Sequence, residues 1–166
     1  MRAEAAISVR EYPLTSFCPD CDYLDGVVVE RNPGEYEHAK STRAVLVHFH
    51  LRRKEWGVHV LPERRIQVSP TRFRVPDVCS LAGPDPQKQI LGTRPFLCIA
   101  MLSPEDRLSA MQARVGDFLS MGMPYIFTLD PKDRRARRCN EGLHQVNELR
   151  TKNPTVLVPI EALFEE

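Results

Sequence analysis

No stretch of this chain constrains its fold more than PFLCIAML at residues 95–102. The run is much shorter than the roughly 20 apolar residues that a bilayer-spanning helix needs. Nor does it alternate between apolar and polar positions, as a strand wetted on one face would. It reads as a strand buried on both faces, the centre of a sheet that other elements must cover. Ser103, Pro104 and Asp106 follow at once as an S-x-x-D helix start, with proline at the first helical position. Leu108, Met111, Val115, Phe118 and Leu119 then supply one apolar face, and Gly122 stops the helix. YIFTLDP at 125–131 is a second buried strand that ends in a turn.

Upstream, a short helix is expected over ISVREYPL, interrupted by Pro13. Asp25 and Gly26 read as a hairpin bend before a strand at 27–31, closed by Asn32, Pro33 and Gly34. Over 37–56 the pattern turns helical: Thr42, Val45, Leu46, Phe49, Arg53 and Trp56 recur three or four apart. Arg52, Arg53 and Lys54 stand near its end, where the helix dipole favours cations. His48 and His50 are two apart, so they point to different sides and make no metal pair by themselves. Strands at 58–68 and 73–81 come next, joined by a turn at Ser69, Pro70 and Thr71, and then a surface loop over 83–94. RRARRC and LHQV form a later hairpin through Gly142, and a strand at 155–158 leads to a terminal helix beginning near Pro159. The order describes an α/β (α+β) sandwich, a mixed sheet covered by two main helices, in a single domain over residues 1–166.

With 42% hydrophobic and 27% charged residues, the chain has the composition of a globular protein rather than a disordered one. Its formal net charge of +1 offers no bulk attraction to a polyanion, so any nucleic-acid surface has to be a local patch. The start, MRAEAAISVREY, lacks the apolar core of a secretory signal, and no apolar run is long enough for a membrane span, so a cytoplasmic location is expected. Five cysteines fit that expectation: the number is odd, and Cys79 and Cys98 lie inside strand-like apolar runs. Cys18 and Cys21 form a CPDC pair. It has no second CxxC or HxxxH to complete a zinc site and reads as two cysteines in a turn.

Two carboxylates stand out. Glu63 is alone in GVHVLPERRIQV, and Asp77 is alone in RFRVPDVCSL, after a proline and among valines. An isolated carboxylate in an apolar strand is costly unless it is paired, hydrogen-bonded or bound to a metal. Either a functional or a satisfied structural aspartate fits the pattern at Asp77.

The segments DYLDGVVVERNPGEYEH, VLPERRIQVSPTRFRVPDV, LCIAMLSPEDR and MQARVGDFLSMGMPYIFTLDP, in that order, resemble the Uma-type restriction endonuclease family of the PD-(D/E)XK nuclease superfamily. The resemblance implies a restriction endonuclease-like fold and Mg²⁺- or Mn²⁺-dependent hydrolysis of DNA phosphodiesters. It makes Asp77 the principal metal ligand, with Glu63 the supporting acid on the preceding strand. A main-chain carbonyl near Met101 is a further ligand, and Arg114 stands where the family often has a lysine, four residues before Phe118. The family's second catalytic carboxylate falls on Ala100.

Such hydrolysis depends on hard cations held by carboxylate oxygens, and alanine supplies none. Arginine at 114 can stabilise charge but stays protonated and cannot act as a base. Glu105 and Asp106 are near enough to be considered as replacements, as are Glu35 and Glu37, but each is better explained by a helix start. Arg64, Arg65, Arg72 and Arg74 flank the carboxylate strands, with Arg43 and Arg52 to Lys54 on the helix and KDRRARR at 132–138, and these are the candidate phosphate contacts. Two functions fit: a metal-dependent DNA endonuclease, reasonably a homodimer if it cuts both strands, or a DNA-binding or protein-interaction module on the same fold whose catalysis ended at Ala100.

Overall fold

The computed structural model describes residues 3–32 and 35–165, with side chains from Ala6 onward. Pro33 and Gly34, expected to close a strand, lie outside the described residues. The strands are β1 (Ala3–Ala6), β2 (Asp22–Leu24), β3 (Val27–Val29), β4 (Val58–Pro62), β5 (Arg65–Ser69), β6 (Arg72–Arg74), β7 (Val78–Ala82), β8 (Ile90–Leu91), β9 (Leu97–Met101), β10 (Tyr125–Asp130), β11 (Arg135–Arg138), β12 (His144–Val146), β13 (Glu148–Arg150) and β14 (Leu157–Pro159). The helices are α1 (Tyr36–Leu51), α2 (Arg53–Trp56) and α3 (Leu108–Ser120).

As the apolar run predicts, every residue of β9 is buried, and the strand lies inside a six-stranded mixed sheet in the order β12-β11-β10-β9-β7-β4. It pairs parallel with β10, across α3, and antiparallel with β7. Leu97, Ile99 and Met101 pack with Val45 and Phe49 of α1, whereas Cys98 packs on the opposite side with Val115 and Phe118 of α3. Fully buried side chains of this size each stabilise the fold by about 1.5–3 kcal/mol. A second sheet, β1-β3-β2-β6-β5-β8, closes over the α3 side, and Ile66 and Leu91 join that cluster.

The expected strands at 58–68 and 73–81 are each two strands, one in either sheet. β4 and β7 pair in the central sheet, while β5 and β6 pair in the second. The breaks coincide with Pro62 and Pro76, which have no N–H to continue a ladder. At the first break Glu63 adopts the left-handed backbone region (φ 48°). The two crossings run side by side, and the Glu63 N–H donates to the Asp77 carbonyl at 3.2 Å. The fold therefore brings Glu63 and Asp77 together at the point where the chain passes twice between sheets.

Other expectations shift locally. The ISVREYPL helix is absent; instead a 3-10 turn spans Tyr12–Leu14, held by the buried Tyr12, whose hydroxyl donates to the Cys21 carbonyl at 2.6 Å. The long helix breaks at Arg52, and Gly57, in the left-handed region, ends its last turn at α2. Ser103 and Asp106 do pair, amide to carboxylate at 2.7 Å, but they close a turn, and α3 begins only at Leu108. The other Asp106 oxygen accepts from Asn32 at 2.7 Å, which ties the turn to the chain after β3. The 83–94 loop contains β8, parallel to β5, and the terminal helix is one 3-10 turn, Glu161–Leu163. Among the described residues no helix is long and apolar enough to cross a membrane.

Candidate active site

Asp77 immediately precedes β7, and its side chain is 4% exposed. Continuing the β7–β9 register, in which Val78 faces Ile99 and Cys79 faces Cys98, sets Asp77 across from Ala100. Its Oδ2 accepts the Met101 N–H at 2.7 Å. Its Oδ1 is 2.7 Å from Arg31 Nη2 and 3.2 Å from His38 Nε2. Burial pushes the carboxyl pKa up, but the His38 hydrogen bond, the Arg31 charge and the Met101 amide outweigh it and hold the group below the ordinary carboxylate range. The Asp77 bond raises the His38 pKa in turn, against the opposing effects of burial and Arg31.

Arg31, two residues beyond β3, spans the two carboxylates. Its Nη1 is 3.2 Å from Glu63 Oε1 while Nη2 holds Asp77, and its side chain is 8% exposed. Burial disfavours its charge, but Asp77, Asp22 and Glu63 more than compensate, and its proton is held more firmly than usual. Glu63 is unlike Asp77: its side chain is 52% exposed at the rim. These residues line an open cleft of about 360 Å³ beside α1, with Arg43 and Thr42 on its helix wall.

Ala100 is buried inside β9, and the Met101 N–H donates to Asp77. Arg114 faces Asp22, with Nη2 3.5 Å from Oδ2, in a separate ion-pair network. There Arg74 bonds Asp22 at 3.0 Å and Asp117 at 2.6 Å, and Arg72 bridges Asp117 and Asp25. The expected phosphate contacts beside the carboxylate strands are thus engaged internally: Arg64 with Asp85, Arg65 with Asp20, and Arg72 and Arg74 as above. Glu105 and Asp106 lie in the turn before α3, and Glu35 and Glu37 border a neighbouring pocket that also contains His38. Cys18 is exposed and Cys21 buried, and no disulfide links them.

Sequence reasoning missed Arg31, His38 and Asp22. A signal existed for His38, which continues the inward stripe of Thr42, Val45 and Phe49 at spacings of four, three and four. Arg31 carried no comparable signal, because its aspartate partner is 46 residues away.

The residues present do not fit a divalent cation. Mg²⁺ takes near-octahedral oxygen coordination. Here one buried carboxylate has both oxygens engaged by donors, the facing position is alanine, and a guanidinium lies between Asp77 and Glu63. Among the described residues no group of three or more His, Cys, Asp or Glu side chains could hold a metal.

The central mixed sheet carries a buried aspartate at the head of β7, with an alanine facing it from β9, in an α+β architecture. The chain belongs to the Uma2 family, described as a putative restriction endonuclease, which matches residues 14–166. The crystal structure of a putative nuclease belonging to DUF820 from Anabaena variabilis is similar, with a TM-score of 0.80 over 95% of this chain and 97% of that one. At 15% identity the likeness establishes the shared fold. No curated protein matches the chain.

Proposed function

We propose that this chain binds DNA on the nuclease fold of its family and has lost metal-dependent phosphodiester cleavage at this site. The observation that carries the reading is the register that sets Ala100 opposite Asp77. The metal-dependent chemistry needs anionic oxygens on both strands, and one of the two strands has none. The ionised Asp77 already has three donors, so it acts here as a structural anion that orders the cleft.

DNA as the partner rests on family membership and on exposed cations around the cleft. Arg43 on α1, and Lys132 and Arg134 in the turn after β10, are exposed beside the two pockets that His38 borders. No ion pair engages them among the described residues, unlike the four arginines of the carboxylate strands. Cations in such positions contact phosphates without reading sequence.

A second reading, an active Mg²⁺- or Mn²⁺-dependent endonuclease working as a homodimer, draws on the ionised Asp77 lying beside the Met101 main chain. A plasmid-nicking assay with Mg²⁺ and Mn²⁺ decides between them. No cleavage by the chain, with cleavage appearing in Ala100→Glu, supports the loss of catalysis. Cleavage by the unaltered chain that Asp77→Asn abolishes refutes it.

A further inference from the structure

Resting on the reading that cleavage has been lost, we propose that Arg31 is the built-in counter-ion of the Glu63–Asp77 pair, filling the place between the two carboxylates that a divalent cation would take and keeping Mg²⁺ and Mn²⁺ out. The planar guanidinium puts one nitrogen on each acid, Nη1 on Glu63 and Nη2 on Asp77, in the fork geometry that suits carboxylates. It is buried, so it is held in this position rather than sampling solvent. Asp22 adds a third negative charge to its surroundings.

Space does not exclude an ion, because the cleft of about 360 Å³ is far larger than one cation. Charge and donor occupancy do. An entering cation would have to push a buried, permanently charged arginine away from its partners, which leaves that charge uncompensated. It would then meet an Asp77 carboxylate whose Oδ2 faces the Met101 N–H and whose Oδ1 is shared with His38. Alanine at 100 and Arg31 therefore act in the same direction: the alanine brings no negative charge to the cation's seat, and Arg31 supplies a positive one.

The test is calorimetric titration of Mn²⁺ into the full chain, with electron paramagnetic resonance counting the free ion. Four forms are compared: the unaltered chain, Arg31→Gln, Ala100→Glu, and Arg31→Gln combined with Ala100→Glu. The unaltered chain is expected to show no saturable binding into the millimolar range. The combined variant is expected to bind at least about tenfold more tightly than Ala100→Glu alone, a margin well beyond titration error. Saturable Mn²⁺ binding by the unaltered chain that Asp77→Asn removes overturns the proposal. So does a folded combined variant that binds no better than Ala100→Glu. The unaltered-chain arm decides on its own if circular dichroism finds the combined variant unfolded. Mn²⁺ binding without plasmid nicking would overturn the role of Arg31 and leave the loss of cleavage standing. Nicking in Mg²⁺ that Asp77→Asn abolishes, with no saturable Mn²⁺ binding by the free chain, would do the reverse.

Discussion

Glu63 and Asp77 are equivalent as isolated acids in the sequence, yet the fold makes them unequal by several kcal/mol. Asp77→Ala removes the partner of a guanidinium that is 8% exposed, and it also orphans the Met101 amide and the His38 proton. Deleting one member of a buried ion pair destabilises by about 3–5 kcal/mol, because the remaining charge stays buried without compensation. Glu63→Ala removes a partner that is 52% exposed, and exposed pairs contribute only about 0–1 kcal/mol. For a chain of this length each kcal/mol moves the melting temperature by roughly 2–4 °C, so Asp77→Ala should lower it by roughly 6–20 °C. Glu63→Ala should lower it by no more than about 4 °C on the same scale. Urea unfolding at neutral pH, followed by circular dichroism and checked by a thermal scan, measures both. Equal losses, or an Asp77→Ala loss below about 1 kcal/mol, would refute the unequal burial on which the site is built.

The same pair makes stability depend on pH in both directions. The lowered Asp77 pKa stabilises above the unfolded carboxylate value, and this contribution disappears as pH falls through the folded value. The raised His38 pKa stabilises below the unfolded imidazole value and is lost as pH rises through the folded one. An NMR titration should therefore place the His38 midpoint above about 6.5, and a midpoint below that value would contradict the Asp77 contact. Arg74→Met should destabilise by about 3–5 kcal/mol in the urea assay, since it deletes the buried cation of the Arg74–Asp22 pair and leaves Asp22 with the more distant Arg114. A loss comparable to that of an exposed pair would count against this. Native alkylation read by mass spectrometry should label Cys18 first, because it is the exposed thiol, whereas burial pushes Cys79 up to about 12 and Cys98 well above its ordinary range. Rapid labelling of Cys79 or Cys98 would contradict the packing of β7 on β9.

The central strand was legible because an unbroken apolar run fits few other environments, and Asp77 was legible because a lone acid among valines needs a partner. Ala100 was legible through the order of the resembling segments. The split of 58–68 and 73–81 between two sheets was not read. Strand propensity says that a segment extends, not which sheet it joins, although Pro62 and Pro76 marked the breaks. Ser103 and Asp106 misled because the same amide–carboxylate pairing that caps a helix also closes a turn. Arg31 and the four engaged arginines were beyond local reading, since a net charge of +1 says nothing about which cations already have partners.

Metal-free DNA binding on this fold is measured by fluorescence anisotropy of a labelled duplex titrated with the chain, in EDTA and again in Mg²⁺, at fixed ionic strength. The same saturable affinity is expected in both, weakening as salt rises and as Arg43, Lys132 and Arg134 are replaced by alanine. Binding that appears only with Mg²⁺ and is abolished by Asp77→Asn would contradict it.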